Sequence, residues 1–543
     1  MADKLRNSNA FAILIYFALA FLLYRDCFSI LIPADNYGQL YFFSKGNIMG
    51  VTEGNQNTSP YFLSFSIMFL LYKLVGLKSF GWITISISLH AANSFLVFLS
   101  AEKFIRIIFS SSSRMIAFFS GLFFLVSPYQ TESVLWAPSD VMVLFTTTFF
   151  LLSLLFILRY FESKKIFSLF CSHAFFFLAV FSYESSFVLP AIVLIIYISY
   201  RSHFSSKINL KEFSVKVLLP QAGIIFSYLL VTKLFFGSWL WHSGEVDLAV
   251  SFSRLAGCFL KYQLKFFGFF RYWQFSSAET LLRSIYANPA ILIPIFLGAA
   301  TIFFTATFFL FRRKNKVAIL LLILFICFSI SLAPVLSLDS SFLTYIYPDR
   351  YGYLPSIFFY IFISGVMFFI SRKMAIYLQS AYAILCLALL MRTIPVWIST
   401  YEYCNSLIDN YKSYLNYNRV YILDVPAYYH GIPAFRSAFR PTMYLKYNLP
   451  LDKISFISGS YSDKAEDTLN TVHKNGRIIQ VKGHPRKTPY FSTDGGWAKS
   501  YETDEYSVTF DSIECSYIIA FKKEIPANSA FVYAANGKWV KAE

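Results

Sequence analysis

The chain has 543 residues, of which 57% are hydrophobic and only 14% charged. A soluble domain carries about 25% charged residues, so an ordinary soluble protein is excluded and a polytopic membrane protein with a polar part attached is expected. The formal charge of +17 would suit nucleic acid, but the basic residues cluster in short loops between apolar runs, which makes their role topological and removes nucleic acid as a partner.

A spanning helix needs about 20 apolar residues. Lys4 and Arg6 precede the first apolar run, 9–32. That run has no small-residue cleavage site and reads as an uncleaved first helix starting on the cytoplasmic side. The polar stretch 35–60 then lies outside. The run 61–75 is short and carries Lys73, so it is expected to lie in the interface. Further spans are expected at 81–104, 115–127, 141–160, 166–183, 185–200, 217–236, 289–311, 317–336, 353–370 and 374–397. The segment 251–277 carries Arg254, Lys261, Lys265 and Arg271 and reads as amphipathic. Loops near 103–114, 159–165, 201–216, 312–316 and 372–373 are basic, while those near 128–140 and 184 hold no Lys or Arg. Eleven spans with a cytoplasmic N-terminus require that alternation.

The tail then lies outside. Its β-branched runs 420–425, 477–482 and 517–521, separated by Gly, Pro and Asn, predict strands. The expected fold is an all-α polytopic membrane domain of about 11 transmembrane helices over 1–400, with interfacial helices in the first outside loop. A small extracytoplasmic α/β or β-rich domain follows over 401–543. Seven cysteines show no metal spacing. Cys404 and Cys515 share the tail, where one disulfide is open to them in an oxidising compartment. A sequon, Asn57-Thr-Ser59, matters only in a eukaryotic secretory setting.

Asp35 follows the first span directly. At the outer membrane surface one carboxylate suffices as a general base; the competing reading is a solvated loop acid. Arg350 heads a span among Tyr345, Tyr347, Tyr351 and Tyr353. Its guanidinium suits bidentate phosphate binding, against simple snorkelling. Lys233, near the outer end of its span, offers a second positive charge. Glu132, Asp140 and Glu184 stand at outer loop ends, where acids are costly unless paired or functional. They could bind sugar hydroxyls, orient an acceptor or carry Mg or Mn. No ligand spacing is diagnostic, so no metal or other cofactor is required. His90 and Asn93 lie one turn apart within a span, where polar groups usually bridge helices. Asp424, His430, Arg436 and Arg440 in the tail form no hydrolase triad or metal pattern and read as capping the site or binding acceptor.

A first span, an acid, an outside loop with interfacial helices and a second span is a layout that resembles the GT-C glycosyltransferases. These include protein O-mannosyltransferases and the bacterial enzymes that modify lipid A or O-antigen. Leu89-His-Ala-Ala-Asn93, Pro128-Tyr-Gln-Thr-Glu132 with Asp140, Tyr183-Glu184 with Pro190, and Arg350-Tyr-Gly-Tyr-Leu-Pro-Ser356 resemble motifs of the TPR-containing O-mannosyltransferases. The resemblance covers about residues 9–400. Asn36 stands where relatives often carry a second acid, Tyr183 replaces a lysine, and no TPR array follows.

The resemblance implies an inverting hexosyltransferase that moves one sugar from an undecaprenyl-phosphate monosaccharide to an extracytoplasmic glycan or lipid-linked acceptor. O-antigen or another surface polysaccharide, as in serotype-converting glucosyltransferases, is the expected acceptor. It gives Asp35 the base role, Arg350 and Lys233 the donor phosphate, and Glu132, Asp140, Glu184, Tyr351 and His90 the acceptor or sugar. It places the chain in the bacterial inner membrane with a periplasmic C-terminal domain. Membrane lipid surrounds it there, and a polyprenyl-phosphate glycosyltransferase and a small flippase would supply donor. The competing functions are a protein O-mannosyltransferase-like enzyme, an O-antigen polymerase or ligase, and a lipid-linked glycan transporter.

Overall fold

The computed structural model describes residues 9–48, 61–109, 114–203, 209–237, 239, 252–272, 288–312, 316–336, 348–436, 438–462, 470–483, 500–511 and 516–542. The N-terminal three quarters is helical. In chain order the helices are α1 (Asn9–Leu23), α2 (Ala34–Ser44), α3 (Phe62–Val75), α4 (Ser79–Phe109), α5 (Arg114–Val126), α6 (Thr131–Leu135), α7 (Val141–Ser163), α8 (Ile166–Val180) and α9 (Leu189–His203). They continue with α10 (Leu219–Phe236), α11 (Phe252–Gly268), α12 (Pro289–Arg312), α13 (Lys316–Ser331), α14 (Ser356–Ile370) and α15 (Ala375–Asn410). Each stretch expected to span carries a helix, the first only over Asn9–Leu23. The segments Ser79–Arg106, Val141–Ser163, Leu210–Phe235, Lys316–Val335 and Ala375–Tyr414 are long and apolar enough to cross a membrane. The chain is a multi-pass membrane protein.

The first expected span, 9–32, is corrected by the structure. Helix α1 stops at Leu23, and Arg25 and Asp26 follow with side chains 69% and 64% exposed. Two adjacent charges are costly in hydrocarbon, which fits an apolar helix that stops before them. Ile30, Leu31, Ile32 and Ala34 then turn back into the main core. That return carries Asp35 into the first turn of α2, where the positive end of the helix dipole favours an acid.

The tail is built on β1 (Arg419–Tyr429), a strand buried on both faces, which is the pattern of a central strand in a covered sheet. It pairs in parallel with β10 (Ser529–Ala535), β3 (Ile454–Phe456) and β4 (Gly459–Ser462), and antiparallel with β2 (Ile432–Pro433). Strand β11 (Lys538–Lys541) extends the edge next to β10. A second, antiparallel sheet runs β5-β6-β9-β8-β7: Asn470–Asn475, Ile478–Gly483, Ser516–Phe521, Tyr506–Asp511 and Ser500–Glu502. One face of β1 (Tyr421, Leu423) meets this sheet through Ile479, Val481, Val508 and Ile519. The other face (Val420, Ile422) packs on Cys404, Leu407 and Ile408 of α15 and on Phe439 and Met443 of α16 (Phe439–Tyr447). All three runs expected to be strands are strands.

Helix α15 has 36 residues. At 1.5 Å per residue it is roughly 54 Å long, well beyond a hydrocarbon core of about 30 Å. Its last turns form a wall of the tail's core, so the chain passes residue 400 inside one unbroken helix. Cys404 is a buried thiol in that wall. Cys515, Asn57, Tyr345 and Tyr347, and the side chain of Arg254, lie outside the described residues.

Candidate active site

The tail docks on α2. Ala34 N–H donates to Ala434 O at 2.7 Å. Tyr444 of α16 sets its ring against Tyr41 with centroids 5.0 Å apart. Lys446 approaches the Tyr37 ring at 5.8 Å. This contact brings Arg436, just before α16, onto Asp35: Nη1 donates to Oδ2 at 2.6 Å. Both side chains stay partly open, at 26% and 32% exposure.

Asn36, beside Asp35, is fully buried. Its Nδ2 donates to Ile32 O at 2.8 Å, and its Oδ1 accepts from Ser139 N–H at 2.9 Å. An amide donates and accepts at once, which an ionised carboxylate cannot do, so Asn36 acts here as a tie. The tie holds the start of α2 against the loop before α7, which carries Asp140.

Trp136 is the centre of the arrangement. Its buried indole faces the Arg350 guanidinium at 4.5 Å and that of Arg436 at 5.9 Å. Arg350 Nη1 lies 3.8 Å from Glu132 Oε1 and 3.6 Å from Asp140 Oδ1. The Arg350 backbone N–H donates to Glu132 Oε2 at 2.7 Å, and its Nη2 donates to the Tyr351 hydroxyl at 3.3 Å. Both acids are wholly buried. Neither oxygen of Asp140 has a hydrogen bond among the described residues, nor does Glu132 Oε1. Burial outweighs Arg350 for both: it lifts the Glu132 carboxyl to about 7 and holds the Asp140 carboxyl well above its ordinary range. Asp35 and Glu132 add to the upward push on Asp140.

Next to this group, Asp349 is buried and ion-paired to both Lys265 and Arg271. The amphipathic segment therefore folds as α11 with Lys265 turned inward. Arg271 is 7% exposed, and its Nε and Nη1 have no hydrogen bond among the described residues.

The other sequence candidates have partners of their own. Glu184 accepts from Tyr61 and Tyr228 hydroxyls, both at 2.8 Å, tying the residue that precedes α3 to α10. His90 is buried in the helical core. Its Nε2 faces Leu125 O at 3.1 Å, which assigns the proton there, so Nδ1 accepts from the Tyr353 hydroxyl at 2.8 Å. Asn93 donates to Leu144 O at 3.0 Å, so this pair bridges helices. Lys233 is exposed and donates to Gly237 O at 2.7 Å, capping its own helix. In the tail, buried Asp424 accepts from Asn470 Nδ2 at 3.0 Å.

The structure thus brings together Asp35, Glu132, Asp140, Arg350 and Tyr351, drawn from three stretches far apart in the sequence. Sequence reading undervalued Arg436 and Trp136. The only mark on Arg436 is a single basic residue closing the apolar stretch Ile432–Phe435 after a glycine. Chemically the cluster offers one water-accessible carboxylate and two buried carboxyls. Two guanidinium groups stand against one indole, each such contact contributing about 0.5–2 kcal/mol.

No family model and no curated protein matches the chain. Among solved structures, the Archaeoglobus fulgidus oligosaccharyltransferase, in a complex with Zn and sulfate, aligns at 12% identity and TM-score 0.37, covering 70% of this chain. This chain spans about half of that one, 53%. ArnT from Cupriavidus metallidurans, bound to undecaprenyl phosphate, aligns at 12% identity and TM-score 0.32, covering 76% of this chain and 82% of its own.

Proposed function

We propose that the chain is an integral-membrane glycosyltransferase of GT-C architecture. It moves one sugar from a polyprenyl-phosphate monosaccharide to an extracytoplasmic acceptor, with O-antigen or another surface polysaccharide as the acceptor class. The supporting observation is the meeting of Asp35 with Glu132, Asp140 and Arg350 around Trp136, where the first outside stretch, the second and a late one converge.

Asp35 takes the proton of the acceptor hydroxyl. The acceptor oxygen forms its bond to the anomeric carbon as the bond from that carbon to the phosphate oxygen breaks. The electron pair leaves with the lipid phosphate, and the anomeric centre inverts. Arg350 receives the developing negative charge. Burial raises the carboxyls of Glu132 and Asp140, which weakens their hold on the guanidinium charge. Charge stabilisation in a dry site of this kind is commonly the largest catalytic contribution.

The test compares cells expressing wild type and Asp35→Asn by mass spectrometry of surface glycans, at matched membrane levels. Decoration is expected with wild type and lost with the variant. Normal decoration by the variant overturns the mechanism.

A further inference from the structure

We propose that Arg436, supplied by the C-terminal domain, is a positioning residue of the active centre: it fixes the Asp35 carboxylate by Oδ2 and leaves Oδ1 to take the acceptor's proton. This rests on the reading of Asp35 as the base.

Three observations carry it. The first is the ion pair itself, at 2.6 Å between groups 401 residues apart in sequence. Pairs this exposed contribute little to stability, so folding alone is a weak reason to build one. The second is the backbone on both sides of it. Ala34 has φ +22° and Arg436 φ +43°, conformations that residues with a side chain rarely adopt. Such strain persists where surroundings over-determine it, and it clusters at functional sites. Here the two strained residues are Arg436 itself and the neighbour of Asp35, and Ala34 N–H is held by Ala434 O. The third is the aromatic seat. The Arg436 guanidinium lies 5.7 Å from the Tyr428 ring and 5.9 Å from the indole that also carries Arg350. One rigid ring therefore sets the spacing between the cation on the base and the cation offered to the leaving phosphate.

Docking does not depend on Arg436. Helix α16 holds α2 independently through Tyr444 on Tyr41 and Lys45, and through Lys446 on Tyr37. Removing the guanidinium therefore leaves the domain in place and changes what holds Asp35.

The experiment uses the full chain in membranes prepared from expressing cells. It follows the initial rate of glycan decoration for wild type, Asp35→Asn, Arg436→Lys and Arg436→Gly. Glycine accepts φ +43° without strain, so Arg436→Gly keeps the loop. Its rate is expected to fall roughly 10²-fold, the scale of one lost charge-assisted contact in a preorganised site. Guanidinium chloride at non-denaturing concentration should restore about tenfold of that loss, and Arg436→Lys should fall between Arg436→Gly and wild type, as a charge without the planar fork does. A rate for Arg436→Gly within about threefold of wild type, or a loss that guanidinium does not reverse, overturns the proposal. If Asp35→Asn keeps the wild-type rate, or wild type shows no decoration, the proposed function itself fails. If Asp35→Asn is inactive while Arg436→Gly is not, only the role of Arg436 fails.

Discussion

At the residue scale the informative group is Glu132. Its carboxyl rises from an ordinary 4.5 to about 7 because burial outweighs the neighbouring Arg350. A raised carboxyl binds its proton more tightly folded than unfolded. Its contribution to stability is therefore complete below about 4.5 and is lost as pH rises through about 7. The thermal midpoint of the detergent-solubilised protein should fall between about pH 5 and about pH 8, and Glu132→Gln should flatten that fall, since glutamine has no proton to lose. An identical slope in the variant would assign the titration to another group. Asp349 is a buried acid too, ion-paired to both Lys265 and Arg271. Nothing in the local sequence separates Asp349 from Glu132, because burial and partners belong to the folded chain.

At the element scale the start of α2 is set by one amide. Asn36 joins the start of α2 to Ile32 on one side and Ser139 on the other. A carboxylate there would lose the donated hydrogen bond and bring a further negative charge toward Asp140. Asn36→Asp is expected to destabilise the protein by about 1–3 kcal/mol, the cost of an unpaired buried polar group, and to lower decoration with it. A thermal midpoint unchanged from wild type would show that the tie is dispensable. The sequence marks Asn36 as a departure from the resembling family. The tie is visible only once α2 and the loop before α7 are side by side.

At the scale of the whole molecule, the membrane part and the tail are joined by α15 and clamped at α2. The apolar face of α15 beyond residue 400 is covered by β1 and α16, so a chain ending at 410 would expose Cys404, Leu407 and Ile408 and lose Arg436. Removing 411–543 should abolish decoration and should also cost hydrogen-exchange protection in α2, which lies far from the cut in sequence. Protection in α2 equal to that of the full chain would mean that the clamp contributes nothing to its order.

The sequence alone determined the eleven apolar stretches that became helices and the three β-branched runs that became strands, because hydropathy and periodicity are local properties. It also put Asp35, Glu132, Asp140 and Arg350 between the apolar stretches rather than within them, since charge is costly in hydrocarbon. The end of α1 was legible too, in Arg25 and Asp26, but the apolar residues that follow them disguised it. Only the tertiary structure decided which charges meet. Lys233 caps its own helix, Glu184 is taken by two tyrosines, and His90 bridges helices, while Arg436 arrives from the far end of the chain to hold Asp35. Such pairing depends on distances set by packing between segments hundreds of residues apart, and no spacing along the chain encodes them.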